Sequence, residues 1–221
     1  MRTWLQLTNT QARALPAEFQ ADDVRYTEAL VAHFLREWTQ PGAVVFDPFA
    51  GFGTTLLAAE ALGRVPVGLE RDPARVAYMR TLLHRPDAII QGDARRLADY
   101  RLPPFDLSLT SPPYMQRDDP EDPLAAYTTP GHGYAAYLDD MQAIYAQMVS
   151  LMKPHARVVI EAANLQGASG VTTLAWDLAR AVGAVLRFDG EIVVGWDRYG
   201  YGYDHSYCLV FRHPDADPAA R

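Results

Sequence analysis

Two short motifs, in a fixed order, carry most of the chemical information in these 221 residues. The first is Asp47-Pro48-Phe49-Ala50-Gly51-Phe52-Gly53-Thr54-Thr55, directly after the apolar run 43–46. The second is Thr110-Ser111-Pro112-Pro113-Tyr114, which closes another apolar run, 105–109. Glycine lacks a Cβ, so Gly51 and Gly53 permit unusual dihedrals and close backbone approach to a ligand. A dinucleotide fingerprint would need a third glycine where Leu56 stands. A phosphate-cradling loop would need a following Gly-Lys-Thr, which is absent.

Acids follow the glycine loop at regular intervals. Asp47, Glu70 and Asp93 fall at the ends of three consecutive predicted strands. There they can meet an ammonium, the two hydroxyls of a ribose and an adenine amino group, respectively. A ligand with those groups and no phosphate is S-adenosylmethionine. The second motif suits an aromatic amine. Such a nitrogen is a poor nucleophile because its lone pair is delocalised into the ring. Acceptors on its two hydrogens favour the tetrahedral geometry needed for attack, and they stabilise the positive charge that develops. The Ser111 hydroxyl and the Pro112 carbonyl can supply them, and the two prolines fix that carbonyl in place. Tyr114 offers a face on which a base can stack, worth ~1–3 kcal/mol. A base taken from a duplex would first be flipped out. No cysteine stands beside these prolines, so direct transfer is expected rather than covalent attack on a pyrimidine ring.

The elements that must hold these motifs alternate from residue 43 onward. Strands are predicted at 43–47, 65–70, 88–91, 105–110 and 156–161, with helices at 54–62, 73–84, 134–152 and 171–182. The chain ends in two β-rich runs, 185–195 and 206–211, expected as an antiparallel hairpin on one edge. Before residue 43, Thr27 looks like the N-cap of a helix carrying Leu30, Val31, Phe34, Leu35 and Trp38 on one face. The first 25 residues show no periodicity and are expected to wrap the domain. Alternating strands and helices imply right-handed crossovers and a mostly parallel sheet. Ligands of such sheets sit beyond the carboxyl ends of the strands, where both motifs fall.

Length and composition fit one α/β domain spanning 1–221. No run approaches the ~18 apolar residues of a membrane span, and no signal-peptide pattern opens the chain. A cytoplasmic protein without membrane contact is expected. Cys208 is the only cysteine and the histidines lack ligand spacing, so no metal is assigned. The net charge of −7 argues against general nucleic-acid affinity. Arginines 64, 71, 75, 80, 85, 95, 96 and 101 cluster between the motifs, but Asp72, Asp87, Asp93 and Asp99 interleave them. A mixed solvated surface is the expectation there.

The motif pair resembles the amino-methyltransferases of DNA, which make N4-methylcytosine or N6-methyladenine, over roughly residues 20–212. The resemblance implies an α/β, Rossmann-like methyltransferase fold, with a mostly parallel seven-stranded sheet, a C-terminal antiparallel hairpin and helices on both faces. It implies S-adenosyl-L-methionine held by Asp47, Pro48, Phe49, Gly51, Gly53, Thr54 and Thr55. Thr27, Glu70, Arg71, Asp93, Ala94 and Thr110 complete that set. It gives the catalytic role to Ser111, Pro112, Pro113 and Tyr114. Serine in the first position is similar to many N4-cytosine enzymes, so cytosine N4 in DNA is the expected acceptor. Adenine N6 in DNA, guanine N2 in RNA and a non-catalytic cofactor-binding subunit are the alternatives.

The resemblance makes 1–41 an N-terminal segment of the cofactor pocket, and the chain departs from the family in two respects, one of them its acidic net charge of −7. Members that recognise a defined site usually carry a target-recognition region, and no separate domain of that kind is seen here. The segments 115–133 and 199–207 are the candidates, with Met115, Arg117, Tyr127 and His132 as residues that can touch nucleic acid. Either a homodimer or a partner subunit would then assist target recognition.

Overall fold

Strand and helix alternate as the hydrophobic pattern demands. The computed structural model describes residues 2–125, 127–168, 170–198 and 203–216. Its strands are β1 (Trp4–Leu7), β2 (Val44–Asp47), β3 (Val65–Glu70), β4 (Ile89–Gln91), β5 (Phe105–Thr110), β6 (Met152–Ala162), β7 (Leu165–Gly167), β8 (Gly170–Thr172), β9 (Arg187–Trp196) and β10 (His205–Arg212). The helices are α1 (Glu28–Trp38), α2 (Thr54–Ala61), α3 (Pro73–Leu82), α4 (Tyr134–Met148) and α5 (Leu174–Gly183).

Eight strands form one sheet in the order β1-β9-β10-β6-β5-β2-β3-β4, and β7-β8 make a separate small hairpin. Within the large sheet, β10 alone runs antiparallel to its neighbours. All seven expected strands are present, and three corrections follow. Trp4–Leu7, read from sequence as part of a wrapping segment, adds an eighth strand in parallel with β9. The β9–β10 hairpin is therefore not an edge: β10 lies between β6 and β9, and β1 covers β9. The predicted helix at 171–182 also begins later, because Val171 belongs to β8.

Side-chain alternation divides the core into two layers. Phe46, Val158, Ile160, Leu209 and Phe211 face α4 and α5. Their neighbours Val45, Val159, Cys208 and Val210 face α1. Helix α1 buries Leu30, Val31, Phe34 and Leu35 completely, worth about 1.5–3 kcal/mol for each side chain. Its first turn is closed by the Thr27 hydroxyl, which accepts from the Leu30 amide at 3.3 Å. Helix α3 starts with Asp72 as N-cap and Pro73 in its first turn. No described helix is long and apolar enough to cross a membrane.

Candidate active site

The carboxyl ends of β2, β3, β4, β5 and β6 open on one cleft of about 980 Å³. Its walls include Pro48, Phe49, Gly51 and Thr54 after β2, Glu70 and Arg71 at the end of β3, Asp93 and Ala94 after β4, and Ser111, Pro112, Pro113 and Tyr114 after β5. The two motifs, 56 residues apart from Thr55 to Ser111 in sequence, thus share one cavity. Five of the residues expected at the cofactor do not line it: Thr27, Asp47, Gly53, Thr55 and Thr110 stand behind the wall.

Those five do structural work that the sequence did not separate from contact. Thr27 is fully buried and caps α1. Gly53 caps α2 in a left-handed conformation, φ +75°, and a Cβ there would run into the Met79 thioether. Asp47 is 1% exposed. Its carboxylate accepts from the Phe49 amide at 3.0 Å and from the Tyr26 hydroxyl at 3.3 Å. Tyr26 also hydrogen-bonds the Thr55 hydroxyl, which donates in turn to the Leu109 carbonyl at 3.1 Å. Thr110 ends β5 fully buried beside the same carboxyl. Burial pushes Asp47 up to about 6, against the pull of these hydroxyl and amide donors.

Of the three strand-end acids singled out from the sequence, Glu70 and Asp93 line the cleft, each with a fixed orientation. Glu70 accepts from the Gly51 amide through Oε2 and from the Asp72 amide through Oε1, each at 2.8 Å. Asp93 accepts from the Arg95 amide at 3.0 Å, from the Arg95 guanidinium at 2.8 Å and from Arg71 at 3.1 Å. Burial raises the Asp93 carboxyl, but these cations outweigh it and hold it below its ordinary value. Arg71 also donates to the Leu124 carbonyl at 2.9 Å, tying the segment after the second motif to the Glu70 side.

The corner at Ser111–Tyr114 is braced by tyrosines. The Pro113 carbonyl accepts from Tyr137 and the Tyr114 carbonyl from Tyr127, both at 2.9 Å. Ser111 and Pro112 line the cleft beside these braced carbonyls. The Tyr114 hydroxyl donates to Glu161 Oε2 at 2.9 Å.

Of the residues expected to touch nucleic acid, Met115 is 1% exposed and packs in the α4–α5 core, which corrects that expectation. Arg117 bonds Thr173 and pairs with Asp177, and Tyr127 lines the cleft. His132 is exposed outside the cleft wall. In the aromatic loop 199–207, Tyr199, Gly200, Tyr201 and Gly202 lie outside the described residues. The arginine-rich stretch is largely neutralised in place: Arg71, Arg75, Arg85, Arg95 and Arg96 each pair with a nearby aspartate. Among the described residues, no cluster of three His, Cys, Asp or Glu side chains has metal-binding placement.

Three cleft residues escaped sequence reasoning. Tyr26 directly precedes the Thr27 that was singled out. Glu161 is a lone acid at the end of a buried strand, the same signal that pointed to Glu70. Leu124 carried no signal at all, since it enters through its backbone position.

This fold and this placement of motifs define a Rossmann-like methyltransferase fold. Residues 11–80 match a family model described as DNA methylase, which supports the resemblance to N4/N6 DNA amino-methyltransferases. Solved structures share the fold. TrmN from Thermus thermophilus is 22% identical with a TM-score of 0.58, over 85% of this chain and 49% of that one. This chain therefore spans about half the length of that relative. A TehB-like SAM-dependent methyltransferase from Corynebacterium glutamicum is 14% identical with a TM-score of 0.55, over 89% of this chain and 92% of that one. A methyltransferase from Pyrococcus furiosus is 14% identical with a TM-score of 0.56, over 85% and 83%.

Proposed function

We propose that this chain is an S-adenosylmethionine-dependent methyltransferase acting on the exocyclic amino group of a nucleobase, with cytosine N4 in DNA as the acceptor. One observation carries the reading: the glycine loop with Glu70 and the Ser111–Tyr114 corner are walls of the same cleft. The donor set also fits the cofactor. Gly51 brings bare backbone to the cavity, Glu70 presents an oriented carboxylate for ribose hydroxyls, and Asp93 lies at the next strand end for the adenine side. Asp47 supports the loop and lends negative charge behind it, next to Tyr26, which lines the cleft.

Bound there, the cofactor supplies an electrophilic methyl group on a positively charged sulfur. The chain's own residues then do three things. Ser111 and Pro112 accept the two hydrogens of the amine, drawing its lone pair out of conjugation. Tyr114 takes the base on its ring face. The tyrosine braces keep this geometry in place before the substrate arrives, so little reorganisation remains for the reaction itself. Serine in the first motif position favours cytosine over adenine.

We read residues 1–221 as one methyltransferase domain. With a net charge of −7 and its cleft arginines paired, the chain has little free positive charge for phosphates. A flipped-out base in the cleft, helped by a second copy or a partner subunit, fits that electrostatics.

The test is incubation with methyl-labelled cofactor and either DNA or RNA, followed by digestion to nucleosides. Label in N4-methylcytosine is expected. Label in N6-methyladenine or only in RNA guanine would reject the cytosine assignment while keeping amine methylation. Cofactor binding with no label in any nucleic acid would reject the enzyme and leave a cofactor-binding subunit.

A further inference from the structure

Glu161 is a buried acid that the functional reading has so far left without a role. It is 3% exposed, near the end of β6, directly after the apolar run Val158, Val159, Ile160. Its register partner across the sheet is Cys208 on β10, itself buried on the α1 face. A carboxylate in such surroundings is costly unless hydrogen-bonded. Here the Tyr114 hydroxyl donates to it at 2.9 Å, and Glu161 also borders the cleft.

We infer that Glu161 is a positioning residue that fixes the ring plane of Tyr114, and with it the stacking surface offered to the target base. The inference rests on the functional reading above. The backbone of Tyr114 is held by Pro112 and Pro113 before it and by the Tyr127 hydroxyl on its carbonyl. That fixes where the side chain starts, and the ring also packs against the α4–α5 core. A hydrogen bond at the far tip constrains both torsions together. A hydroxyl bonded to a carboxylate is the strong form of such a tether. A ring held at both ends presents one face to the cavity, and loss of the tether at its tip would widen the range of rotamers it samples. Stacking on one pre-set face costs less ordering on binding.

The experiment is a double-mutant cycle on the intact chain, reading kcat/KM with a methyl-accepting oligonucleotide and cofactor affinity by calorimetry. Glu161→Leu removes the acceptor, and Tyr114→Phe removes the donor from the other side. Each is expected to lower kcat/KM about tenfold, the scale of one hydrogen bond to a charged group, mainly through KM for the oligonucleotide. The double variant should be no worse than either single one. Glu161→Gln retains a carbonyl acceptor and should restore most of the loss. Cofactor affinity should stay within about twofold throughout.

Losses that multiply in the double variant would overturn the inference, because Glu161 would then act apart from the ring. So would Glu161→Gln as damaged as Glu161→Leu. If Glu161→Leu does not fold, Tyr114→Phe decides alone, and an undiminished kcat/KM there overturns the inference. A wild type that binds cofactor yet methylates no nucleic acid overturns the functional reading, and this inference with it. A wild type that turns over with multiplying losses overturns the inference alone.

Discussion

Glu70 Oε2 accepts the Gly51 amide at 2.8 Å, so the acid that ends β3 also shapes the glycine loop that follows β2. Its other oxygen accepts the Asp72 amide at the same distance, at the start of α3. One side chain thus fixes two backbone turns while facing the cleft.

Replacing Glu70 by Ala therefore leaves two amides without their acceptor as well as removing a ligand contact. Cofactor affinity measured by calorimetry is expected to fall at least about tenfold, from the loss of charge-assisted hydrogen bonds. Unchanged affinity in Glu70→Ala would show that the cofactor does not depend on this wall.

Asp47 supplies a pH test. Its carboxyl is raised from 3.8 to about 6 by burial, so the folded state holds this proton more tightly than the unfolded chain. Stability from this group is therefore full below pH ~3.8 and is lost as pH rises to ~6. At neutral pH the buried charge costs on the order of 3 kcal/mol. Asp47→Asn keeps an acceptor for the Phe49 amide and removes the charge. In urea titrations it should be more stable than wild type at pH 7, with the advantage gone near pH 4. Cofactor affinity should rise from pH 5 to 7 in wild type, as ionisation of the carboxylate behind the wall adds attraction for the cofactor's positive charge, and stay flat in Asp47→Asn. A variant with the wild-type pH slope would contradict both statements.

The two glycines of the loop should separate in their effects. Gly53 faces Met79 at φ +75°, so Gly53→Ala is strained in its backbone and crowded against a core side chain. A stability loss of about 1–3 kcal/mol is expected. Gly51, at φ +53°, lines the cleft and has room, with only the Phe49 carbonyl at 3.9 Å from a Cβ. Gly51→Ala should lose less stability than Gly53→Ala and more cofactor affinity. Denaturation and calorimetry on the same preparations check this, and the reverse order would mean that the loop meets its ligand through Gly53.

Much of this arrangement was legible before any coordinates. Apolar runs of strand length separated by helical periodicity fixed β2 to β6, and a strand in a parallel sheet ends where its ligand begins. Hence Glu70, Asp93 and Ser111 could be placed in one crevice from spacing alone. The sequence could not show which side chains face the cavity. Asp47, Thr27 and Thr55 have the right types but turn inward: the Asp47 carboxylate and the Thr55 hydroxyl both bond Tyr26, and the Thr27 hydroxyl caps α1. β1 was illegible for a different reason. Trp4–Leu7 is too short for periodicity to register, and only the open edge of β9 makes it a strand. Glu161 was read as one more strand-end residue. Its bond to Tyr114 joins positions 47 residues apart, a pairing that only the fold creates.

The division of labour across the cleft is the central claim, and Ser111→Ala tests it most directly when cofactor affinity and single-turnover methyl transfer are measured on one preparation. The cofactor dissociation constant should stay within about twofold of wild type, while transfer slows by about a hundredfold or more, the scale for losing one acceptor aimed at a developing charge. Cofactor affinity lost in parallel with turnover, or transfer that proceeds at the wild-type rate, would contradict the account.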